Sequence, residues 1–280
     1  MNKKILQWGS LLTSGLLLLD MLFLETYFFD VNTFYIGRNN GGKKIKLLLL
    51  TDLHFKKRLG LAHLKLAKKV NSLRPDLILI AGDIVDEYGT AAPAKKFFNL
   101  LNYSIPKIAI LGNHDHKSVV TTQEYRELLA QNNGVLLLNE TVSHRVEGHK
   151  ITITGVDDFI EGEPSLVDAV EQIGREENHL LLIHSPKQQE KIKKQLKKIN
   201  GNRTEDQRLN IQYIFAGHNH GGQVRLLGYA PVMPKKAGKY FNGWYNNKPP
   251  YLYVSKGFGT STLPFRFSSR AEVTVFNYGV

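Results

Sequence analysis

The sequence contains no cysteine among its 280 residues. Disulfide bonds, thiolate metal ligands and cysteine nucleophiles are therefore all excluded. The absence fits an exported bacterial protein but does not prove export. Internal repeats and low-complexity tracts are missing as well, which excludes a repeat architecture and leaves an ordinary globular chain.

Acidic residues are few relative to basic ones. The chain has 25 Asp and Glu residues against 37 Lys and Arg residues, which gives a formal net charge of +12. Such an excess indicates a polyanionic environment, namely an anionic membrane, a wall polymer or nucleic acid, and charge alone does not distinguish them. The length is sufficient for one large domain or two small ones with a substantial core.

The N-terminus combines a basic tip, Met1–Lys4, with the mostly apolar segment Ile5–Leu24. About 20 apolar residues match the thickness of a bilayer core, and no small-residue cleavage pattern follows them. Residues 1–30 are therefore predicted to form an uncleaved, single-pass anchor in the cell membrane, with an apolar helix packed on the folded domain as the alternative. Lys3 and Lys4 favour an extracytoplasmic domain, whereas four basic residues after the segment favour the opposite orientation: Arg38, Lys43, Lys44 and Lys46.

Turn-forming residues interrupt the chain at Asn39–Lys44, so residues 31–44 are predicted to be a linker and residues 45–280 one folded domain. Beyond the linker, short apolar runs alternate with helical patterns, which predicts an α/β fold with βαβ units. Later strands with few helices between them indicate a second sheet packed on the first. The predicted helices are Leu61–Leu73, Ala94–Leu101, Thr122–Gln131 and Ser165–Glu177, and the later strands are Ile151–Gly155, Val224–Leu227, Tyr251–Ser255 and Glu272–Phe276.

The segment Lys187–Ile199 has the pattern of a basic amphipathic helix. Ile192, Leu196 and Ile199 fall on one face, and six lysines occupy the rest of the surface. Two interpretations remain open. The helix either lies on an anionic membrane surface or packs on the core with a solvated lysine face, and the second is the more common arrangement.

Five apolar runs end in residues of metal-ligand type. The carboxyl ends of parallel strands meet at one edge of an open α/β sheet, where ligands bind, so the residues after these runs are predicted to form one site. One histidine at a strand end is more often structural than a ligand, but five coincidences favour a site. The motifs are Asp52-x-His54, Gly82-Asp83-x-x-Asp86, Gly112-Asn113-His114-Asp115, His184 and Gly217-His218-Asn219-His220.

These residues offer carboxylate, imidazole and carboxamide groups without a thiolate. The donor set suits Mn²⁺, Fe or Zn²⁺ at a catalytic site rather than a structural zinc. Two such ions about 3.5–4 Å apart can stabilise both the attacking and the leaving oxygen of an in-line displacement at phosphorus. The inventory is sufficient for a site with two divalent metal ions.

In their order along the chain, the five motifs resemble those of the calcineurin-like metallophosphoesterases. The resemblance covers residues 45–280 and implies the four-layer αββα sandwich of that family, here with an N-terminal transmembrane helix. It further implies a metal-dependent phosphoesterase whose nucleophile is a water or hydroxide shared by two ions, with no covalent enzyme intermediate.

The resemblance also implies a role for each motif residue. One ion would be held by Asp52, His54 and His220, the other by Asn113, His184 and His218, and Asp83 would bridge the two. His114 would not be a ligand. It would donate to a phosphate oxygen or protonate the leaving group, held in place by Asp86. Asp115 would have a supporting role that the sequence does not define.

The C-terminal part is similar to a membrane-tethered bacterial branch of the family. Gly221-Gly222-Gln223, Gly257-Phe258-Gly259-Thr260-Ser261, Pro264 and Arg266 resemble the branch that includes UDP-2,3-diacylglucosamine hydrolases and exported phosphodiesterases. Asn219 and Ala271 depart from the pattern of the branch at positions that hold no ligand. The implied partner is a phosphorylated lipid or another cell-envelope substrate, cleaved at a phosphodiester or pyrophosphate bond.

Several residues leave two interpretations open. Arg266 could contact a substrate phosphate or be a surface arginine, and the glycines at 221 and 222 could allow close approach to a ligand or simply form a turn. His116 could touch substrate because it lies two residues from His114. The other unmatched histidines, His63, His144, His149 and His179, are predicted to be structural or exposed.

Two further functions of a different class stay possible. A non-catalytic module that keeps the fold would have lost a ligand or His114, and every one of these residues is present. A basic protein that binds nucleic acid or wall polymer would show steeply salt-dependent binding without turnover. The motifs favour the enzyme, and no nucleic-acid partner is expected.

Overall fold

The structure, a computed structural model, describes residues 8, 12, 14–16, 19–38, 42–231 and 233–280. Much of the predicted anchor, residues 1–30, lies outside these ranges. Among the described residues, no helix has the length and apolar character needed to cross a membrane. The described end of this segment is a π-helical turn, Asp20–Leu24, that continues directly into helix α1, Glu25–Tyr27.

Twelve strands are present in the described residues, and they form two six-stranded sheets. The first sheet has the order β1-β12-β2-β3-β4-β5 and the second β10-β11-β9-β8-β7-β6. The strands are β1 Asp30–Gly37, β2 Lys44–Leu50, β3 Leu77–Ala81, β4 Lys107–Ile110, β5 Gly134–Leu136, β6 Glu140–Val146, β7 His149–Gly155, β8 His179–Leu182, β9 Ile211–Ala216, β10 Gly243–Tyr245, β11 Tyr251–Val254 and β12 Glu272–Gly279.

Both sheets are mixed. In the first, β2, β3, β4 and β5 run parallel, and β12 pairs antiparallel with β2. In the second, β7, β8, β9 and β11 run parallel, with antiparallel β6 and β10 at the edges. Strands β2, β3 and β4 are neighbours, as are β8 and β9, so all five runs that precede the motifs lie near the centre of a sheet.

The predicted linker, residues 31–44, differs from what the structure shows. Strand β1, Asp30–Gly37, pairs in parallel with β12 along its whole length, from Asp30 opposite Glu272 to Gly37 opposite Gly279. Val31 packs against one core, and Phe34 packs against another. The sheet therefore begins before residue 45. The sequence signal was weak because Asn32 and Thr33 interrupt the apolar alternation.

Seven α-helices have defined bounds within the described residues. Helices α2, α3 and α5 cover the outer face of the first sheet, and α6 and α7 cover the outer face of the second. After α1, the helices are α2 Leu61–Leu73, α3 Ala91–Leu100, α4 Asn113–Lys117, α5 Thr122–Ala130, α6 Leu166–Ala169 and α7 Gln189–Gly201.

Alternation of side chains along the buried strands produces three hydrophobic cores. In β2, Leu48 and Leu50 face the helices of the first sheet, while Leu47 and Leu49 face the second sheet. A third core lies between the second sheet and its own helices. Because parallel strands are buried on both faces, they appear in the sequence as continuous apolar runs. Three cores separate four layers, which is the αββα arrangement.

Two predicted elements are shorter or absent. The helix predicted at Ser165–Glu177 ends at Ala169, because the backbone leaves helical geometry at Val170. Arg203 caps the chain after this helix, because its guanidinium donates to the carbonyl oxygens of Val170 and Ile173. The strand predicted at Val224–Leu227 is reduced to single bridges beside a tight turn.

The lysine-rich helix α7 uses its apolar face inside the protein. Ile192 is buried, and Leu196 and Ile199 are half-buried against the third core. The lysines occupy the remaining surface. This arrangement matches the interpretation of a core-packed helix with a solvated basic face, since its apolar side chains are already in contact with the domain.

A buried histidine makes the fold sensitive to acid. His179 at the start of β8 is fully buried, and its Nε2 lies 2.8 Å from Oγ1 of Thr154. That hydroxyl donates to Thr141, because the Thr141 hydroxyl itself donates to the carbonyl oxygen of Ala169. His179 must therefore carry its proton on Nε2. Its Nδ1 has no hydrogen-bond partner among the described residues, and burial lowers the pKa of His179 to about 4.

We expect the free energy of unfolding to fall as the pH drops from 6.5 to about 4. The folded pKa is below the unfolded value, so the unfolded state binds more protons in this window, and stability is lost as the pH falls through it. The contribution is about 3 kcal/mol. Urea unfolding at several pH values should give a flatter dependence for His179→Leu than for the wild type. Identical dependence in both proteins would contradict this role.

Candidate metal centre

The seven predicted ligands lie together at the carboxyl edges of the two sheets. Each follows a central strand, at positions after β2, β3, β4, β8 and β9. Backbone hydrogen bonds continue between the loops past the strand ends, for example from Asp52 N to Gly82 O and from Gly217 N to His184 O. All seven side chains are buried: Asp52, His54, Asp83, Asn113, His184, His218 and His220.

Asp52, His54 and His220 form one group of possible ligand atoms, all within 4.8 Å of one another. The Nε2 atoms of His54 and His220 are 3.0 Å apart, and Nε2 of His220 is 3.6 Å from Oδ1 of Asp52. Two imidazole nitrogens and a carboxylate oxygen thus converge on one point, as a cation requires.

Asp83, His184 and His218 form the second group. Nδ1 of His184 donates to the carbonyl oxygen of Ala81 at 2.8 Å, and Nε2 of His218 donates to that of Lys235 at 2.9 Å. Asp83 and Asp52 raise the pKa of His184 well above its usual value despite burial, so a metal ion would displace a proton from this ring. When neutral, each ring keeps a lone pair on its other nitrogen, and these two nitrogens are 3.3 Å apart. Such backbone bonds fix the tautomer of a metal-binding histidine.

Asp83 lies between the two groups. Its Oδ2 is 3.2 Å from Nε2 of His184 and 3.5 Å from Nε2 of His54. Burial alone would raise the pKa of Asp83, but His184 and His54 hold it well below its usual value. The carboxylate is therefore ionised and faces both groups, which is the position of a bridging ligand.

An unpartnered carboxamide indicates that the site is shaped for a cation. Asn113 is buried, and its Oδ1 has no hydrogen-bond partner among the described residues. A buried carbonyl oxygen without a donor costs free energy unless something positive completes it. Together with the converging lone pairs, this oxygen fits two divalent ions held by the predicted residues.

Backbone strain is concentrated in the same residues. Five of the seven predicted ligands have positive φ angles between 46° and 70°. The left-handed region is uncommon for residues other than glycine and costs of the order of 1–3 kcal/mol each. The five are Asp52, His54, Asp83, His218 and His220. The fold thus stabilises an arrangement that the local chain disfavours, as is common at functional sites.

Two glycines are required where backbone packs directly on the ligand carboxylates. A Cβ atom on Gly112 would lie 2.3 Å from Oδ1 of Asp83, and one on Gly217 would lie 2.3 Å from Oδ2 of Asp52. Neither distance is possible for a real side chain. The glycines before Asn113 and His218 are therefore part of the packing around the site.

His114 points into the open side of the site. Its Nδ1 accepts from the backbone N–H of Glu87 at 3.4 Å, which leaves the proton of the neutral ring on Nε2. That nitrogen lies 3.2 Å from Oγ of Ser261 at the wall of a cavity of about 320 Å³. Burial lowers the pKa of His114 despite the nearby Asp83. The geometry suits a group that donates a hydrogen bond from Nε2 to something bound in the cavity.

Asp86 has a different partner from the one predicted. Its Oδ2 lies 3.4 Å from Nδ1 of His54, and its Oδ1 accepts from the backbone N–H of Tyr88. The expectation that Asp86 holds His114 therefore differs from the structure, where the backbone of Glu87 fills that place. The loop after β3 turns so that the carboxylate faces the neighbouring ligand instead.

Asp115 connects the loops after β3 and β4. Its two oxygens accept from the backbone N–H groups of Ile84, Val85 and Gly112, and from the hydroxyl of Tyr125. Burial raises the pKa of Asp115 to about 6. This is the supporting role that the sequence left undefined. Asp115 thus joins the loop that contains Asp83 to the loop that contains Asn113.

Arg266 is neither a phosphate ligand nor a surface residue, so both earlier interpretations are wrong. It is fully buried, and its Nη2 lies 3.0 Å from Nδ1 of His220. The guanidinium also donates to backbone carbonyl oxygens, from Nε and Nη2 to Gly259, from Nη1 to Ser269 and from Nη2 to Lys256. Because a guanidinium only donates, Nδ1 of His220 must accept, which places the ring proton on Nε2, where a bound cation would replace it.

We expect Arg266→Lys to lower the free energy of unfolding by about 3 kcal/mol, because lysine cannot reproduce the fork that satisfies several buried carbonyl oxygens. His220 would also lose its fixed orientation, so the protein should retain less metal. Thermal unfolding and elemental analysis measure the two effects. Arg270→Lys is the matched control, since Arg270 is exposed. A variant at 266 that unfolds and binds metal like the control would contradict this role.

The structure also shows the surroundings of the other residues that the sequence left open. His116 Nε2 lies 2.7 Å from Oδ1 of Asp157, and this carboxylate raises the pKa of His116. The pair joins α4 to the loop after β7 rather than lining the cavity. Gly221 and Gly222 form a turn with positive φ angles, and Gly222 lines the cavity wall. His63 is half-buried, and its Nε2 lies 2.9 Å from the carbonyl oxygen of Leu53, which agrees with the predicted structural role.

Known proteins identify the family. A family model described as calcineurin-like phosphoesterase matches residues 45–222, which is more than half of the chain. The chain belongs to the calcineurin-like phosphoesterase family. It is accordingly a metal-dependent phosphoesterase, in agreement with the expectation from its five motifs.

Relatives of this phosphoesterase occur in bacteria and animals. The metallophosphoesterase YkuE of Bacillus subtilis is 31% identical over 244 residues, covering 85% of this chain and 80% of its own. A bovine transmembrane protein with a metallophosphoesterase domain is 27% identical, over 82% of this chain and 52% of its own. Among solved structures, TT1561 of Thermus thermophilus is 13% identical over 77% of this chain and 91% of its own, with a TM-score of 0.46.

Proposed function

We propose that this phosphoesterase cleaves a phosphodiester or pyrophosphate bond in a lipid-linked or other cell-envelope substrate, using two divalent ions, with Mn²⁺ preferred over Fe or Zn²⁺. The observation that supports it best is the pair of ligand groups that share Asp83, with Nε2 of His114 facing the cavity beside them. Residues of one chain thus provide both the ion sites and a proton donor.

Two divalent ions held by these residues would supply positive charge to the phosphoryl oxygens and activate a water molecule as the nucleophile. The protein's own residues do the rest. Asp83, Asp52 and the histidines hold the site, and the Ala81 and Lys235 carbonyl oxygens orient two of the rings. His114 donates a hydrogen bond from Nε2 to the leaving oxygen as the phosphorus–oxygen bond breaks. The water forms the new bond to phosphorus, and the proton that it releases ends on the leaving oxygen.

The cavity has both charged and apolar walls. Lys117 and Lys235 offer positive charge beside the ligands, while Ile160, Val224, Met233 and Leu263 offer apolar surface. A substrate with a phosphate next to a hydrocarbon group would fill both parts. The name of the bovine relative, a transmembrane protein, favours a membrane setting as well. We place the catalytic domain on the extracytoplasmic side, on the basis of Lys3 and Lys4.

The reaction is tested with purified full-length protein loaded with Mn²⁺ and a generic aryl phosphodiester. Hydrolysis should exceed that of an identically loaded His114→Ala variant. Turnover no greater than that of the variant would refute the proposed chemistry. Protease accessibility of the domain in intact cells tests its side of the membrane.

The substrate class is tested with matched compounds. A phosphodiester or pyrophosphate that bears an acyl chain should be hydrolysed with a kcat/KM at least about tenfold higher than its water-soluble counterpart, because a few buried methylene groups supply that difference. Equal kcat/KM values would refute the lipid-linked substrate but would not contradict the phosphoesterase activity.

A further inference from the structure

An apolar turn stands fully exposed beside the cavity. The backbone groups of Leu226 and Tyr229 bond to each other, which closes a two-residue turn with Leu227 and Gly228 at its tip. Both tip residues have positive φ angles. Leu226, Leu227 and Tyr229 are 63%, 102% and 71% exposed. We call residues 225–229 the apolar turn.

Leucine at the tip is unexpected for a turn in water. Positive φ at both central positions favours Asn, Asp or Gly, and leucine gains nothing there from packing because it touches no neighbour that would bury it. The fold therefore holds a fully exposed apolar side chain in a strained conformation at the tip of the turn. Such a residue is stabilised only by contact with something outside this chain.

The apolar turn is connected to the cavity and to the N-terminal helix. Arg225 N donates to Phe267 O, and Phe267 N donates to Gln223 O. The preceding residue, Arg266, donates its backbone N–H to Met21 O in the π-helical turn. Gln223 and Val224, directly before the turn, line the cavity. The cavity, the apolar turn and the end of the N-terminal apolar segment thus lie along one side of the domain.

The chain segment that contains the apolar turn has charge of one sign. Between Asp206 and Glu272 the sequence contains no acidic residue, yet it contains nine basic ones. Lys235, Lys236 and Lys239, which follow the turn, are exposed. An apolar tip within a basic segment matches an anionic bilayer, whose acyl chains accept leucine and whose headgroups accept lysine. Nucleic acid would suit the lysines but would leave the leucines in water.

We propose that the apolar turn inserts into the leaflet of an anionic phospholipid membrane and places the cavity mouth at the headgroup level. The exposed face of the N-terminal helix, with Leu19, Leu22 and Phe23, meets the same membrane. This contact goes beyond the proposed hydrolysis and does not depend on it. It gives the folded domain its own membrane contact, separate from any anchoring by residues 1–18.

The absence of cysteine makes a direct test possible. A Leu227→Cys variant of the full chain can be labelled at one position with an environment-sensitive fluorophore. Vesicles of phosphatidylcholine with roughly one-third phosphatidylglycerol should shift its emission to the blue and raise it severalfold. Spin-labelled lipid should quench it. Pure phosphatidylcholine should give a much smaller response.

Tyr103→Cys is the matched control, because Tyr103 is an exposed aromatic residue. It lies before the amino end of β4, whereas the site lies beyond the carboxyl end of that strand. Its label should stay in water while the protein is bound. If the protein binds vesicles but the label at 227 also stays in water, the insertion is refuted. Binding through the N-terminal segment alone would give this result. A response to duplex DNA without one to vesicles would refute it too.

A second variant separates the contact from catalysis. Leu226→Asp together with Leu227→Asp should weaken vesicle binding at least tenfold in high-salt buffer, while hydrolysis of a soluble aryl phosphodiester stays at the wild-type level. Neither leucine lines the cavity. Unchanged vesicle binding in this variant would contradict the proposal, and lost hydrolysis with folded protein would mean that the turn serves the site instead.

Discussion

Replacement of His114 by asparagine is expected to reduce turnover by about 10²–10⁴-fold while the metal content stays the same. The reason is the position of the ring. Its protonated Nε2 faces the cavity and Ser261, and its backbone N–H, which the substitution keeps, donates to Oδ1 of Asp83. The variant therefore loses the proton donor without losing the backbone bond that holds the bridging carboxylate.

Metal content is the measurement that decides the role of His114. Its ring also comes within 4.8 Å of ligand atoms of His54 and Asp86, so these three form a further group that could bind an ion. Elemental analysis after gel filtration, alongside the rate with an aryl phosphodiester, distinguishes a proton donor from a ligand. Asn113→Ala is the matched variant and should lose metal, because it removes a buried oxygen that has no hydrogen-bond partner among the described residues, on a residue that lines the cavity. Equal metal loss in both variants would refute this division of labour.

The ligand residues could be predicted because strand ends determine where they meet. Leu47–Leu50 and Leu77–Ile80 are continuous apolar runs, and such runs become central parallel strands buried on both faces. Residues just beyond them must then lie at one edge of the sheet. This geometry depends only on the strand pattern and topology. Asp52, His54 and Asp83 could therefore be brought together without knowledge of any side-chain position.

The partners of the site residues could not be predicted in the same way. Asp86 faces His54 rather than His114 because of the exact turn of one loop. Arg266 contacts His220 across 46 residues of chain, and nothing local to residue 266 indicates a buried arginine. The positive φ angles of five ligands are likewise imposed by packing of neighbouring loops and contradict local preference. Such features arise only from tertiary structure.

Strand β1 shows the same limit at the level of the fold. Its sequence, with Asn32 and Thr33 between apolar residues, has the appearance of a linker. Pairing with β12 provides its hydrogen bonds, and Asn32 donates to Glu272 on that neighbouring strand. An edge strand buries only part of its surface, so its apolar signal is weaker than that of a central strand. Pairing with β12, rather than the sequence of residues 30–37 itself, makes this segment a strand.

Replacement of Asp83 by asparagine is expected to affect metal binding more than replacement of His114 does. Both ions should be lost, and activity should fall about 10³-fold or more. One oxygen of Asp83 faces His54 and His184, at 3.5 and 3.2 Å, so a single substitution removes negative charge from both groups. Metal ions supply several kcal/mol to the transition state, and each 1.4 kcal/mol is about tenfold in rate.

The substitution should leave the fold itself intact. Asparagine has the same shape as aspartate and keeps an oxygen that can accept from the backbone N–H of His114. The variant loses the attraction to His184 and His54 that holds the pKa of Asp83 low, so it should fold with a lower stability than the wild type. The wild type should gain thermal stability when Mn²⁺ is added, by about 4 kcal/mol at 1,000 times the dissociation constant. Asp83→Asn should show no such gain at the same concentration.

Asp76→Asn provides the control, because Asp76 stands at the opposite end of β3 and accepts from Lys46 N, a contact far from the ligands. It should keep the Mn²⁺-dependent stabilisation and the activity of the wild type. If Asp83→Asn still gained the full stabilisation, the ions would not share this carboxylate. Retention of one ion in place of none would assign Asp83 to a single group, and Asp83 would then be a terminal ligand rather than the bridge between the two.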